Sequence, residues 1–150
     1  MINIMFSVRP GQGEPSGFDL GDIVCEGGLG QAGSSGHIPD QGMMIYPSVT
    51  LLLDSLAALL NGRDRMLNFT GVDTSFGIAF RRSNKEISIS SRNKLIAKAS
   101  QDELARAVFL AADELAASGL AQLPEHDPAR TDYLAALNDF RALAEGSTTG

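Results

Sequence analysis

The chain has no tryptophan, one cysteine and two histidines among its 150 residues. A single thiol, Cys25, excludes an internal disulfide and any cysteine-based zinc cluster within one chain. His37 and His126 stand far apart in sequence and, with only scattered carboxylates around them, meet no metal-ligand spacing, so no metal and no cofactor is expected. Aromatic residues make up only 6% of the chain, which leaves Leu, Ile, Val, Ala and Met to fill the interior. No window reaches the roughly 18 consecutive apolar residues of a membrane span. The opening MINIMFSVRPG holds neither a basic leader nor an unbroken apolar stretch before a cleavage site. The expectation is a cytoplasmic protein without a membrane partner.

Charge is unevenly spread. Residues 1–62 hold six acids against Arg9 alone, a net of −5; residues 63–99 hold eight bases against three acids, a net of +5; residues 100–150 hold nine acids against three bases, a net of −6. Either these charges pair across the fold and solvate its faces, or one face steers a partner of opposite charge.

Hydrophobic spacing predicts an α+β chain. Ile2, Ile4, Phe6 and Val8 alternate with polar or flexible positions, as in a strand, and a turn-rich loop from Pro10 to Gly17 leads to a second strand near Phe18 to Glu26. Residues 27–42 are rich in glycine and read as a long irregular loop, a candidate functional feature. Val49, Leu52, Leu53, Leu56 and Leu60 recur at helical spacing over 48–61, with Ser48 as the expected cap and Gly62 just past the end. MLNFTGV, SFGIAFRR, EISISS and KLIAKA follow, joined by connections too short for a crossover helix, so they form an antiparallel meander. Leu67, Phe69, Phe76, Ile78, Phe80, Ile87 and Ile89 are expected on its core face, and Asn68, Thr70, Ala79, Arg81, Ser88 and Ser90 on the other. Ser100 and Glu103 form a capping box before a helix that ends at Gly119, and Asp127-Pro128 opens a third that ends at Gly146. The expected order is β-β-α-β-β-β-β-α-α, an antiparallel sheet of about six strands with helices packed on one face. It forms one domain over 1–145, followed by a short polar tail at 146–150.

GLGQAG, residues 28–33, has the spacing of a dinucleotide-binding fingerprint, which needs a helix whose amino end meets the pyrophosphate. Here Gly36, Pro39 and Gly42 forbid that helix, so nucleotide binding is not expected. Cys25, His37 and Asp40 have the residue types of a nucleophile, base and orienter, since a thiolate needs a nearby imidazole; a lone cysteine in an apolar strand is otherwise a small core residue. A small enzyme using Cys25 with His37 is therefore one alternative. Another is a regulatory or nucleic-acid-binding module on the basic strands 81–98, with Arg81, Arg82, Lys85 and Arg92 meeting phosphates beside Lys94 and Lys98. The net charge of −6 and the lack of interleaved aromatics make nucleic acid the weaker reading.

The stretches YPSVTLLLDSLAALLNG, FTGVDTSFGIAFRR and SQDELARAVFLAADEL, about half of the chain, resemble in pattern the small α+β immunity proteins of bacterial polymorphic-toxin systems. The resemblance brings no binding residue with it. It implies a protein partner, a toxin domain neutralised by direct binding. The residues offered for that contact are the acids flanking the glycine-rich loop, Asp19, Asp22, Glu26 and Asp40, together with His37, facing a basic toxin surface.

Overall fold

A computed structural model describes residues 2–146, and the polar tail expected beyond Gly146 lies outside the described residues. The elements are β1 (Asn3–Val8), β2 (Leu20–Gly27), β3 (Gly30–Gly33), β4 (Met43–Met44), α1 (Ile45–Leu60), β5 (Met66–Thr70), β6 (Gly77–Ser83), β7 (Glu86–Ser91), β8 (Lys94–Ser100), α2 (Gln101–Ser118), a one-turn 3-10 helix (Leu120–Gln122) and α3 (Pro128–Gly146). The chain is α+β, but its strands form two antiparallel four-stranded sheets rather than one sheet of six. In the first, β2 lies between β1 on one side and β3 and β4 on the other; the second is the meander β5-β6-β7-β8.

The two strands missing from the sequence reading lie in and just after the glycine-rich segment. Gly27 pairs with Gly30 across the tight turn Gly28-Leu29, so GLGQAG is the turn and return strand of a hairpin. A Cβ on Gly27 would come within 2.3 Å of the Ala97 Cβ and 2.7 Å of the Ile96 carbonyl oxygen. The glycine is there because β2 passes against β8, not because the segment lacks structure. At that contact β7 and β8 slip register: Ile89 pairs with Ala97 and Ser90 with Leu95. Ile96 is thereby left over as a bulge residue, and its freed carbonyl accepts the Leu29 N–H at 2.9 Å. A bulge on one sheet stitches it to the hairpin of the other.

Helix α1 starts a turn earlier than its pattern suggests. Pro47 falls in its first turn, where the missing N–H costs nothing, and the Ile45 N–H donates to the Asp19 carbonyl. Ser48, the expected cap, is instead buried inside the helix, where its hydroxyl accepts the Val72 N–H at 2.8 Å. Gly62 takes φ +83° just past the end, as expected. The Ser100 hydroxyl accepts the Glu103 N–H at 3.1 Å and opens α2, while the Asp127 carboxylate accepts the Ala129 N–H at 2.9 Å and opens α3.

Helices α1 and α2 pack on the sheets, and α3 lies across the pair. Tyr133 binds this layer together: its ring meets Tyr46 of α1 edge-on, with centroids 6.2 Å apart, and its hydroxyl donates to the Ala112 carbonyl of α2 at 2.6 Å. Phe69, Phe76, Ile78, Phe80, Ile87 and Ile89 are buried on the core side of the meander as expected, joined by Ala97 and Ala99, with Leu67 half-buried. On the opposite face of this sheet Asn68, Thr70, Arg81 and Lys98 are exposed, and no helix among the described residues covers them.

Candidate functional site

The acids offered for a partner divide when placed in the fold. Asp22 and Asp40 both close on Arg9, the one base of the first 62 residues. The guanidinium meets Asp22 through Nε and Nη2, both at 2.9 Å, and Asp40 through Nη1 at 2.7 Å and Nη2 at 2.9 Å. Asp22 also accepts the buried Ser34 hydroxyl at 2.7 Å, and that hydroxyl accepts the Ile23 N–H at 3.0 Å. Arg9 holds the Asp22 carboxyl below its ordinary value, against the opposing effect of burial and with help from Ser34. Asp40 is held well below the usual carboxylate range by Arg9 and by the Gly42 N–H. A Cβ at Gly42 would sit 2.5 Å from the Arg9 Cζ, so a side chain there would push the guanidinium out of its present place. These two acids form a clasp that pins the loop to the first sheet and keeps one net negative charge, with the Asp40 side chain exposed.

Asp19 is half-buried and shapes a turn by accepting the Ser16 N–H at 3.1 Å. Glu26 is half-buried on β2, between Asn3 of β1 and Gln31 of β3.

Cys25 and His37 are not brought together. Cys25 is 1% exposed among core side chains, and burial, with a smaller contribution from Glu26, pushes its thiol up to about 11. The His37 ring is held by the Gly33 carbonyl, 2.7 Å from Nε2, and Asp40 belongs to the Arg9 clasp. A thiolate nucleophile has no activating base here. Among the described residues no three His, Cys, Asp or Glu side chains gather to hold a metal. Among the described residues no helix is long and apolar enough to cross a membrane.

The bases of the meander form no ion pair among the described residues; the two pairs recorded both belong to Arg9. They do not make one patch either. Register places Arg81, Ser88 and Lys98 side by side in one row of the outer face, with Met66 beyond Arg81. The next row is Asn68, Ala79, Ser90 and Leu95. Arg82 has the opposite parity: it lies on the helix side and donates to the Asp64 carbonyl at 3.3 Å, near the end of α1. Lys85 and Arg92 occupy the turns at opposite ends of β7. The face thus has a floor of small side chains, Gly77, Ala79, Ser88 and Ser90, between taller rims. At one corner Arg65, Arg81 and Arg82 line a depression of about 390 Å³ together with Met66, Ser83 and Asn84.

At the other end of the meander a cleft of about 330 Å³ opens between the two sheets. Its walls are Gln31, Ala32, Gly33 and His37 on one side and Ser75, Gly77, Ser91, Arg92 and Lys94 on the other, with Gln41 and Phe76 between. Gln31, Gln41, Ser75 and Ser91 had no signal in the sequence, because the seam exists only through the hairpin and bulge that join the sheets.

Compared with known proteins, the chain matches no family model, no curated protein and no solved structure.

Proposed function

We propose that this chain is a non-enzymatic protein-binding module that acts as an immunity protein, neutralising a cognate bacterial toxin by docking on it through the outer face of β5–β8. The observation that carries this reading is a helix-free sheet face whose bases, Arg81 and Lys98 with Arg65 at the corner, have no internal acid to neutralise them. Unpaired arginines cost folding free energy through mutual repulsion and give nothing back until an acidic surface meets them. Arginine beside small side chains also suits an interface, where a planar cation can sit flat and bind carboxylates by two hydrogen bonds. The partner's contact surface is therefore acidic. That polarity is the opposite of the one expected from the acids that flank the loop.

The same unpaired bases would favour nucleic acid. Against that, Phe69, Phe76 and Phe80 are buried on the opposite side of the sheet, so no meander phenylalanine can stack on bases from this face.

The test is protection of growth against the toxin encoded beside this chain in its native cells, with the triple variant Arg65→Gln, Arg81→Gln, Lys98→Gln as the probe. Loss of protection with an unchanged melting temperature supports the reading. Full protection by the variant, or binding of nucleic acid with no protein partner, overturns it.

A further inference from the structure

The cleft between the sheets carries a chemistry that docking on the outer face does not use. Two basic side chains, Arg92 and Lys94, stand on one wall, Gln31, Gln41, Ser75 and Ser91 add hydrogen-bonding groups, and no carboxylate is among its lining residues. Gln41 is 7% exposed, with its amide nitrogen 3.3 Å from the Ser75 hydroxyl. The Ser91 hydroxyl is turned back onto the Gly77 carbonyl at 2.8 Å. The polar rim is thus held in place by the structure itself, over an apolar floor formed by the buried Phe76 ring.

Both cations are exposed at the mouth of the cleft. The Lys94 stem crosses the start of β3, its Cε 3.5 Å from where a Gly30 Cβ would be, an ordinary packing distance. Arg92 and Asn93 fill the two-residue turn between β7 and β8 at φ +52° and +63°. Such turns favour Asn or Gly, because a left-handed backbone costs other residues about 1 kcal/mol. Arginine at the first of these positions carries that cost at the mouth of the cleft.

We propose that this cleft binds a compact oxyanion, a small molecule bearing carboxylate or phosphate, gripped by Arg92 and Lys94 and oriented by Gln31, Gln41 and Ser75. The volume of about 330 Å³ suits a small metabolite. Fork-shaped guanidinium and point-charge ammonium are the usual pair for such groups. The cleft adjoins the docking face at Gly77, but its cations, Arg92 and Lys94, are not the bases that docking uses, so the proposal holds whether or not that reading does.

Titration of the isotope-labelled protein with inorganic phosphate and, separately, with citrate, followed by amide NMR, tests it. The expected result is saturable shifts confined to Gly33, His37, Gln41, Ser75, Gly77 and Ser91 to Lys94, and the tighter of the two probes names the oxyanion. Arg92→Asn, which suits the left-handed turn, and Lys94→Gln should each weaken binding by about tenfold. Arg65→Gln with Arg81→Gln should leave binding unchanged within about twofold. Binding lost in that second pair instead would assign the anion to the arginine corner and overturn the proposal. Shifts that fail to saturate by about 10 mM, or that spread over every basic residue, would overturn it as well.

Discussion

Ser34 is the most exposed point of failure in the Arg9 clasp, although no solvent reaches it. Its hydroxyl is fully buried, donates to the Asp22 carboxylate at 2.7 Å and accepts the Ile23 N–H at 3.0 Å. Ser34→Ala removes a bond to a charged group, worth about 1.5–3 kcal/mol, and leaves a buried backbone N–H without its partner, at about 1–3 kcal/mol. Allowing for partial relaxation, the loss comes to about 3 kcal/mol, a drop in melting temperature of about 6–12 °C for a chain of this size. The acid limb of the stability curve should change as well. Asp22 is depressed when folded, so it stabilises the protein above the unfolded carboxylate pKa of about 4, and that contribution is lost as pH falls through the folded value. Ser34→Ala weakens one of the causes of the depression, so its stability deficit should shrink below pH about 4. Urea unfolding at pH 7 and pH 3.5 reads both effects, with Ser35→Ala, an exposed neighbour, as control. A loss under about 1 kcal/mol at pH 7, or one matched by the control, would refute the reasoning.

Other outcomes follow from the same geometry. Gly27→Ala should cost about 2–3 kcal/mol, because the new methyl cannot fit between β2 and β8 without parting the Leu29–Ile96 hydrogen bond; hydrogen exchange at Leu29, in the turn before β3, should then rise well above its wild-type rate. Cys25, with its thiol pushed up to about 11 by burial, should resist alkylation at pH 7.5 until the protein unfolds; stoichiometric labelling of the native state would return it to the list of reactive groups. Asp54 has its carboxyl raised by burial and by Asp139 and Asp132 of α3, the opposite sign to Asp22. Ionisation therefore lowers stability as pH climbs past its unfolded value, and Asp54→Asn should stabilise at pH 7 by less than about 1 kcal/mol but not at pH 3. A variant that unfolds sooner at pH 7 would contradict that sign.

Much of the fold was legible because local signals agreed with tertiary burial. The alternation in SFGIAFRR and EISISS placed Ile78, Phe80, Ile87 and Ile89 inward, and the Ser100 and Asp127 caps marked two helix starts. The failures share a cause. Gly27 and Gly42 look like flexibility in one dimension, yet each makes room for something distant in sequence, Ala97 in one case and Arg9 in the other. The bulge at Ile96 leaves no trace in the sequence, so the division into two sheets and the cleft along their seam could not be read. Asp22 and Asp40 looked available because their one base, Arg9, lies 13 and 31 residues away. The basic segment 81–98 was visible as composition, but only strand parity separates Arg82 from Arg81.

The measurement that bears most directly on the role of the outer face is capture from native cells at low salt, by wild type and by the Arg65→Gln, Arg81→Gln, Lys98→Gln variant side by side. The account predicts one stoichiometric protein partner held by wild type and lost by the variant, whose melting temperature stays within about 2 °C because these bases have no internal ion pair to lose. Equal retention by both proteins, nucleic acid in place of a protein, or no partner at all would contradict it.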